Sequence, residues 1–498
     1  MSTNEQLLAL SSVELRRRIG TKEISPVELL EAAIARIAAL NPSVNAICDT
    51  IYDRARSEAK AAEKAALAGD RLGPLHGLPT GIKDLHDAEG LLTTHGSPLY
   101  RDHLAPRDCA MVANMRKAGA IIVVKTNVPE FGAGANTRNP VWGATGNPFD
   151  PRLNAGGSSG GSAVALACDL LPVCTGSDTG GSLRIPAAYC GVVGMRPSPG
   201  VVPMEFRPLG WTPVSVLGPM GRCVGDMRQL FAAQIGMEDG EPLAFPVDGE
   251  HAAAGRPVDL ASLRVAWTED FGQCPVTREI RGVLRDRVAA MRHLFRACDE
   301  VAFDFGEADR CFDVVRAMTF VTRYHAAYSK DPSSLGPNVR ANYEMGAAMS
   351  LADAAWGHAE QTRIFRRFQQ TFRDYDLVLS PTTPVSPRPW TELYLPEVDD
   401  KPLRNYYHWL ALTYFITLTT NPAISLPCGV DHAGMPFGLQ VTGCFHGDLE
   451  LIDAAEAMEQ AFARIPGLAR PRPDLGRLTG ATADLKSLVT HPPRKAAA

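Results

Sequence analysis

The sequence has little of what marks a membrane protein, a secreted disulfide-rich protein or a nucleic-acid-binding protein. A membrane-spanning helix needs about 18 consecutive apolar residues, and the best candidate, residues 410–418, is short and interrupted by threonines. The 11 cysteines are scattered along 498 residues without a Cys-x-x-Cys pair, which indicates reduced thiols and excludes a disulfide scaffold. The 50 Lys and Arg residues and 55 Asp and Glu residues give a net charge of −5, without the basic excess that attracts nucleic acid or an anionic membrane.

The start of the sequence also lacks a basic segment followed by an apolar one, the pattern of a secretory signal. Together with the reduced cysteines, this predicts a soluble cytoplasmic protein with no membrane and no nucleic acid as partner. The overall composition is that of a folded chain, since 45% of the residues are hydrophobic and 21% are charged. A disordered protein is therefore excluded.

The first 70 residues predict an N-terminal helical layer. Residues 25–28, S-P-V-E, place serine at an N-cap, proline at the first helical position and glutamate three residues after the serine. This is the pattern of a capping box, and apolar residues then recur at helical spacing. A second helix, rich in Ala, Glu and Lys, is expected over residues 52–68, ending at Gly69.

From residue 71 onward, short apolar runs alternate with helical patterns. The run A-I-I-V-V-K at residues 120–125 predicts a strand in a sheet covered on both faces, and residues 239–260 predict a surface loop. Helices that alternate with short buried strands indicate an α/β fold, in one large domain. Further strands are expected over residues 172–175 and 376–379, and helices over residues 111–118, 163–171, 279–297, 359–373 and 449–463.

Two segments rich in glycine and serine carry the strongest chemical signal. Residues 156–162 read G-G-S-S-G-G-S and lead into a predicted helix, and residues 176–186 read G-S-D-T-G-G-S-L-R-I-P. Such turns leave backbone N–H groups unpaired, so they can stabilise an anion or a developing oxyanion. A serine at the end of the second turn, Ser182, can attack a carbonyl whose oxygen falls among those N–H groups. Taken alone, either segment could also be a flexible loop.

A lysine lies upstream of both segments. Residues 77–84, G-L-P-T-G-I-K-D, place Lys83 between apolar residues and an aspartate. A buried lysine loses hydration, which lowers its pKa from about 10.4 towards neutrality, and it can then act as a base. Taken alone, such a lysine is more often a solvated surface charge.

These three segments together resemble the amidase signature family, whose hydrolases use a Ser–Ser–Lys triad. Residues 77–84, 156–162 and 176–186 occur in the order typical of that family. Supporting segments are residues 93–97, 125–131 and 421–427. The resemblance implies an amidase domain over residues 71–498, with a mixed central β-sheet covered by helices on both faces. Its parts would be a catalytic core at about 71–225, a middle at about 239–374 that matches no family motif, and a C-terminal part of the same sheet at about 375–470.

Carried onto this sequence, the resemblance assigns the catalytic triad. Ser182 is the nucleophile that forms the acyl-enzyme, Ser158 is the bridging serine, and Lys83 is the base. The protein is then an amidase that cleaves the C–N bond of a carboxylic amide, anilide or carbamate, and releases an acid and an amine or ammonia. It acts on a small-molecule amide and needs no cofactor and no metal.

The resemblance also assigns supporting residues. Asp84, Asp178 and Arg184 would fix the catalytic loops, and Phe131 and Trp142 would contact the substrate. A metal site in D-L-H-D at residues 84–87 is disfavoured, because adjacent residues rarely converge on one ion. The oxyanion hole would be formed by the N–H groups of Thr179, Gly180, Gly181 and Ser182.

Two other functions remain open at this point. Residues 156–160 match G-x-S-x-G, the nucleophile elbow of an α/β-hydrolase esterase with Ser158 as nucleophile and a later histidine, such as His408, His432 or His446. The chain could also be the amidase component of a tRNA-dependent amidotransferase. Residues 198–203, S-P-G-V-V-P, depart from the continuation expected in those components and favour a separate hydrolase, for which a homodimer is one assembly to consider.

Overall fold

The computed structural model describes residues 3–480 and 483–494 of the chain. The helices are α1 (Thr3–Leu8), α2 (Ser12–Gly20), α3 (Pro26–Val44), α4 (Tyr52–Ala68), α5 (Ala110–Lys117), α6 (Gly160–Ala167), α7 (Arg184–Cys190), α8 (Val224–Gln234), α9 (Gly249–Ala254), α10 (Arg278–Met291), α11 (Ala308–Lys330), α12 (Pro337–Ala347), α13 (Leu351–Gln369), α14 (Ala411–Thr419), α15 (Asp448–Phe462) and α16 (Leu475–Leu478). The strands are β1 (Ile47–Thr50), β2 (Pro79–Lys83), β3 (Ile121–Thr126), β4 (Arg138–Asn139), β5 (Gly143–Ala144), β6 (Val173–Asp178), β7 (Val193–Arg196), β8 (Val216–Gly221), β9 (Arg264–Trp267), β10 (Ala297–Glu300), β11 (Leu377–Pro381), β12 (Glu397–Val398), β13 (Lys401–Pro402), β14 (Ala423–Val430) and β15 (Pro436–Thr442).

An 11-stranded mixed sheet forms the centre of the fold, in the order β1-β3-β2-β6-β8-β7-β14-β15-β11-β9-β10. Strands β3, β2 and β6 are parallel neighbours, as are β11, β9 and β10, while the strands between these two groups pair antiparallel. The predicted α/β class and mixed sheet are confirmed. Strand β1, which lies within the predicted helical layer, pairs with β3 and so extends the sheet.

Two hydrophobic cores cover the sheet. On β6, Val173 belongs to one core and Cys174 to the other; on β3, Ile122 belongs to the first core, whereas Ile121 and Val123 belong to the second. Because successive residues of a strand point to opposite faces, the two cores lie on opposite faces of the sheet. This confirms that the β-branched run on β3 is buried on both sides.

The first predicted helix begins where expected, but neither bond of its predicted capping box is present. Ser25 precedes α3, and its Oγ accepts a hydrogen bond of 2.9 Å from the N–H of Val27. The same hydroxyl donates to the carboxylate of Glu63. In the part of the chain that the structure describes, the Glu28 side chain accepts no hydrogen bond from the N–H of Ser25, so the prediction of a capping box is wrong. The second helix, α4, matches its predicted bounds and ends at Gly69, which has a φ of 80°.

Several predicted boundaries move because tertiary contacts override local propensity. The helix predicted from residue 163 begins at Gly160, where a Cβ on Gly161 would lie 2.2 Å from the N of Asn127. The glycines therefore permit close packing in the first turn. The helix predicted over residues 279–297 ends at Met291, because residues 297–300 form β10 beside β9. The predicted loop at residues 239–260 contains the short helix α9.

The topology brings two chain segments to one edge of the sheet. Strands β2 and β6 are parallel neighbours, so their carboxyl ends, Lys83 and Asp178, meet at the same edge. The loop before α6 lies against this edge. Within the described residues, no helix is both long and apolar enough to cross a membrane.

Candidate active site

Lys83 is the last residue of β2, and its side chain is completely buried. Its Nζ lies 2.8 Å from Ser158 Oγ, 2.7 Å from Ser159 Oγ and 3.0 Å from Ser177 Oγ. The backbone N–H of Lys83 donates to Thr175 Oγ1 at 3.0 Å, which fixes β2 against β6 at this point. The amine is therefore held among three hydroxyl groups.

This environment disfavours the charged form of the lysine. Burial lowers the pKa of Lys83 well below its ordinary value, and the negative charge of Asp178 opposes this effect without overcoming it. A neutral amine can donate two hydrogen bonds and accept a third from a hydroxyl. The arrangement gives Lys83 what a general base needs, a lone pair within hydrogen-bonding distance of Ser158 Oγ.

Ser158 lies in the loop that enters α6. The peptide bond between Gly157 and Ser158 is cis, and the residue is 3% exposed. A Cβ on Gly132 would lie 3.2 Å from Ser158 Oγ, so Gly132 forms part of the wall beside this hydroxyl. Sequence reasoning missed Gly132 as a site residue, as well as Ser159 and Ser177, since only their spatial position distinguishes them from other small residues.

Ser182 lies in the turn between β6 and α7 and is partly exposed. Its carbonyl oxygen accepts a hydrogen bond of 3.2 Å from the N–H of Ser159. This bond ties the two glycine-rich loops together. The structure thus brings the loops of Ser158 and Ser182 to the same edge as Lys83.

The backbone of this turn offers N–H groups for an oxyanion, but not from all four predicted residues. The N–H of Gly181 donates to the Asp178 carboxylate at 2.8 Å. The N–H groups of Thr179, Gly180 and Ser182 have no acceptor within the described chain. Three of the four predicted donors therefore remain free to bind an oxyanion, and Gly181 instead fixes the turn.

Asp178 organises the turn through a buried ion-pair network. Its carboxylate is 2.9 Å from Arg184 Nη2 and 3.3 Å from Arg196 Nη1, and it also accepts the N–H groups of Gly181 and Leu183. Burial alone would raise the pKa of Asp178, but the two guanidinium groups and the N–H donors hold it below its ordinary value. The predicted loop-fixing contact between Asp178 and Arg184 is present.

Asp178→Asn should strongly destabilise the protein. The substitution leaves two buried arginines without their carboxylate, and breaking a buried pair from one side typically costs about 3–5 kcal/mol. Because the pKa of Asp178 is lowered by folding, its contribution is present above the unfolded value of about 3.9 and is lost as the pH falls below it. Urea unfolding at neutral pH measures the effect.

The matched control is Asp150→Asn, which removes the carboxylate partner of Arg152, whose side chain is 82% exposed. That exposed pair should contribute less than about 1 kcal/mol. Equal losses for the two variants would contradict the role given to Asp178.

Asp84 is the centre of a second buried cluster. Its carboxylate accepts the N–H of Thr94 at 2.9 Å, the hydroxyl of Thr94, and the indole N–H of Trp142 at 3.2 Å, and it lies 3.9 Å from Lys125 Nζ. Burial raises the pKa of Asp84 to about 6, with Lys125 acting in the opposite direction. The polar end of Trp142 therefore anchors this cluster, and only the remainder of its partly buried ring is available to a substrate.

Phe131 precedes Gly132 in a short turn with a φ of 51°. Its ring is 8% exposed and lies 4.8 Å from the ring of Tyr324 and 5.8 Å from that of Tyr100. Because Phe131 is adjacent to Gly132, which lies beside Ser158, its side chain belongs to the surroundings of Ser158. Its predicted contact with substrate stays a prediction.

The histidines and acids near the site do not form a metal-binding arrangement. In the portion of the chain described, no three His, Cys, Asp or Glu side chains converge on one point. The ring of His86 is buried, and burial lowers its pKa well below the ordinary value. The chemistry that the site offers is that of hydroxyls, one amine and backbone N–H groups.

Comparison with known proteins identifies similar sequences over nearly the full chain. A family model described as Amidase matches residues 28–452. The chain is 31% identical over 465 residues to an acylamidase of Rhodococcus erythropolis, covering 92% of this chain and 96% of the relative. It is 32% identical over 473 residues to a glutamyl-tRNA(Gln) amidotransferase component of Synechococcus elongatus, covering 90% and 97% respectively.

Solved structures give the same picture. A bacterial aryl acylamidase described as belonging to the amidase signature enzymes superposes with a TM-score of 0.84 at 26% identity, covering 91% of this chain and 96% of that one. The 6-aminohexanoate cyclic dimer hydrolase superposes with a TM-score of 0.81 at 26% identity, covering 94% and 99%. The sequence comparison and the structure comparison therefore both find amidases among the proteins similar to this chain.

Proposed function

The chain belongs to the amidase signature family of hydrolases that act on carbon–nitrogen bonds, and we propose that it hydrolyses carboxylic amides through an acyl-enzyme on Ser182. The observation that carries the mechanism is the 2.8 Å contact between Lys83 Nζ and Ser158 Oγ in a fully buried setting. A neutral amine beside a hydroxyl, next to a turn with free N–H groups, is what a serine nucleophile needs.

The proposed reaction begins with proton transfer along the triad. As Ser182 Oγ attacks the carbonyl carbon, its proton passes to Ser158 Oγ, and the proton of Ser158 passes to Lys83 Nζ. The carbonyl oxygen becomes an oxyanion that the N–H groups of Thr179, Gly180 and Ser182 stabilise. The C–N bond then breaks, and Ser158 gives a proton to the leaving nitrogen while Lys83 returns one to Ser158.

Hydrolysis of the acyl-enzyme repeats the relay with water. Water gives its proton to Ser158 and attacks the acyl carbon, and Ser182 leaves with a proton returned by Ser158. The products are a carboxylic acid and an amine or ammonia. Each proton that moves is accounted for by the two serines and the lysine.

A second candidate is the amidase component of an amidotransferase, because relatives with that name are as similar as the acylamidase. We propose a separate hydrolase, since residues 198–203 depart from the continuation expected in those components. Release of acid from simple amides by the purified chain alone would support this proposal. Turnover that requires an added partner protein would favour the amidotransferase.

The test of the nucleophile is covalent labelling. A fluorophosphonate probe should modify Ser182, and Ser182→Ala should abolish labelling and lower kcat by roughly 10⁶-fold, the scale seen when a serine hydrolase loses its nucleophile. Peptide mapping identifies the modified residue, and a panel of short-chain amides, anilides and carbamates gives the rates. A label on Ser158 would contradict the proposal and favour the α/β-hydrolase arrangement.

A further inference from the structure

One face of α11 extends along the catalytic edge. Phe312, Arg316, Phe320 and Tyr324 are spaced four residues apart, so they lie on the same side of the helix. At one end, a Cβ on Gly180 would lie 3.0 Å from Phe312 Cζ. The α11 face thus begins against the turn that carries the nucleophile.

The other end of this face reaches the surroundings of Ser158. The rings of Phe131 and Tyr324 are 4.8 Å apart, and Phe320 packs against Tyr324 at 5.4 Å. Phe131 is followed by Gly132, where an added Cβ would lie 3.2 Å from Ser158 Oγ. Along α11, Arg316 therefore lies between Phe312, which packs against the turn of Ser182, and Tyr324, which packs against Phe131 near Ser158.

Arg316 is a buried cation, only 6% exposed. Its Nε donates to Asn342 Oδ1 at 3.1 Å, and its Nη2 donates to the hydroxyl of Tyr406 at 2.7 Å. Both partners are neutral. Aromatic rings hold the guanidinium in place, with its Cζ 4.8 Å from the Phe320 centroid and 5.0 Å from that of Tyr407.

No carboxylate of the described residues forms an ion pair with Arg316, which distinguishes it from the buried Arg184 and Arg196. Of the two acids on its own helix, Asp313 pairs with Arg404 at 2.9 Å and accepts the hydroxyl of Tyr407, and Asp309 lies 3.3 Å from His408 and accepts the hydroxyl of Tyr414. A buried charge without a counter-charge is costly. The Nη1 group of Arg316 has no hydrogen-bond acceptor among the described residues and is available to a planar anion.

We propose that Arg316 binds a carboxylate of the substrate, so that this enzyme prefers amides that carry a free carboxylate a few bonds from the scissile C–N bond. The inference rests on the proposed amidase function and names the substrate class of the same site. Cation–π contacts keep the guanidinium positioned, and an arginine whose position is already fixed loses little freedom when the anion binds. Arg316 is thereby a specificity-determining residue.

The experiment compares substrates that differ in charge alone. The monoamide of glutaric acid carries the carboxylate on the acyl side, N-butanoylglycine carries it on the amine side, and the methyl ester of each is the neutral match. For at least one of the two pairs, the wild-type enzyme should show a kcat/KM about 10- to 100-fold higher for the acid, the range expected of a hydrogen bond to a charged group. Which pair shows the preference identifies the side on which the carboxylate binds.

Arg316→Met should remove this preference by raising KM for the two acids. For the two neutral methyl esters, kcat/KM for cleavage of the amide bond should stay nearly unchanged. Arg316→Lys, which keeps the charge, should restore part of the preference. The matched control is Arg310→Met on the same helix, since Arg310 is exposed and pairs with Asp353; it should behave as wild type. Equal rates for acid and ester in the wild type, or equal losses for both in Arg316→Met, would overturn the proposal.

Binding measurements keep this test independent of catalysis and of the stability of Arg316→Met. Calorimetry with glutarate and with N-butanoylglycine on Ser182→Ala should show binding of at least one of them, weakened about 3- to 10-fold when Arg316→Lys is added, because lysine keeps the charge but not the planar fork. Absence of binding for both anions would overturn the inference about Arg316. Absence of hydrolysis for every amide, with binding intact, would instead contradict the proposed function.

Discussion

Replacement of Lys83 should remove most of the activity and leave the fold intact. Lys83→Met removes the base but fills the same buried space, so kcat should fall by about 10⁴-fold or more, at or above the range of a general-base contribution. Thermal stability should change little, because the buried amine contacts three hydroxyls and the Ser177 carbonyl, and so gives up its hydration without gaining an ion pair. Steady-state rates and circular dichroism during heating measure the two effects.

Lys83→Arg separates the base from the positive charge. A guanidinium stays protonated at any usable pH, so it cannot accept the proton of Ser158. This variant should be as inactive as Lys83→Met. Turnover near that of the wild type would show that the charge is what matters, and the proposed relay would then be wrong.

The pH profile of the wild type should report the same group. Burial lowers the pKa of Lys83, and only the neutral amine is active as a base. The rate should therefore rise with pH through this lowered pKa and stay high above it. A rate that falls as Lys83 loses its proton would contradict the assignment.

Much of the site could be predicted because its chemistry depends on local sequence. Lys83 ends a strand, and the segments around Ser158 and Ser182 are glycine-rich turns, so each side chain is placed by a few neighbouring residues. Because β2 and β6 are parallel neighbours, Lys83 and the turn that carries Ser182 meet at the same edge of the sheet. Such an arrangement leaves a recognisable pattern in the sequence.

Other features depend on partners that are distant in the sequence. The predicted capping box is wrong because Ser25 Oγ accepts the N–H of Val27 rather than that of Glu28, and its hydroxyl donates to the distant Glu63. The use of the Gly181 N–H by Asp178 likewise has no signature in the motif. In both cases packing determines which groups form the hydrogen bond, and the local motif does not show it.

The middle of the chain was the least predictable part. Helix α11 has buried polar residues, Asp313 and Arg316, within its apolar face, and these interrupt the periodicity by which amphipathic helices are found. One of these two residues, Arg316, is the one that we propose binds the substrate carboxylate. Sequence analysis therefore left unassigned the segment in which we place substrate selection.

Three hydroxyls surround the amine of Lys83, and one of them must transmit the proton from Ser182. Lys83 Nζ contacts Ser158, Ser159 and Ser177 at similar distances, so proximity alone does not single out one of them. Ser159 is completely buried, and its Oγ would lie 3.0 Å from a Cβ on Gly176. That hydroxyl is enclosed by β6, whereas Ser158 Oγ faces Gly132 at the wall of the site.

Ser158→Ala should therefore lower the maximal kcat by about 10³-fold or more, since the relay from Ser182 to Lys83 loses its middle member. Ser159→Ala and Ser177→Ala should lower the maximal kcat less than about 10-fold. Each removes a hydroxyl that accepts a hydrogen bond from the charged lysine, which lowers the pKa of Lys83 further. The rise in rate should then begin at a lower pH than in the wild type, while the maximal rate is kept. Full pH profiles of the three variants measure both quantities, and loss of the maximal rate in Ser159→Ala with only a shifted profile in Ser158→Ala would make Ser159 the bridging serine.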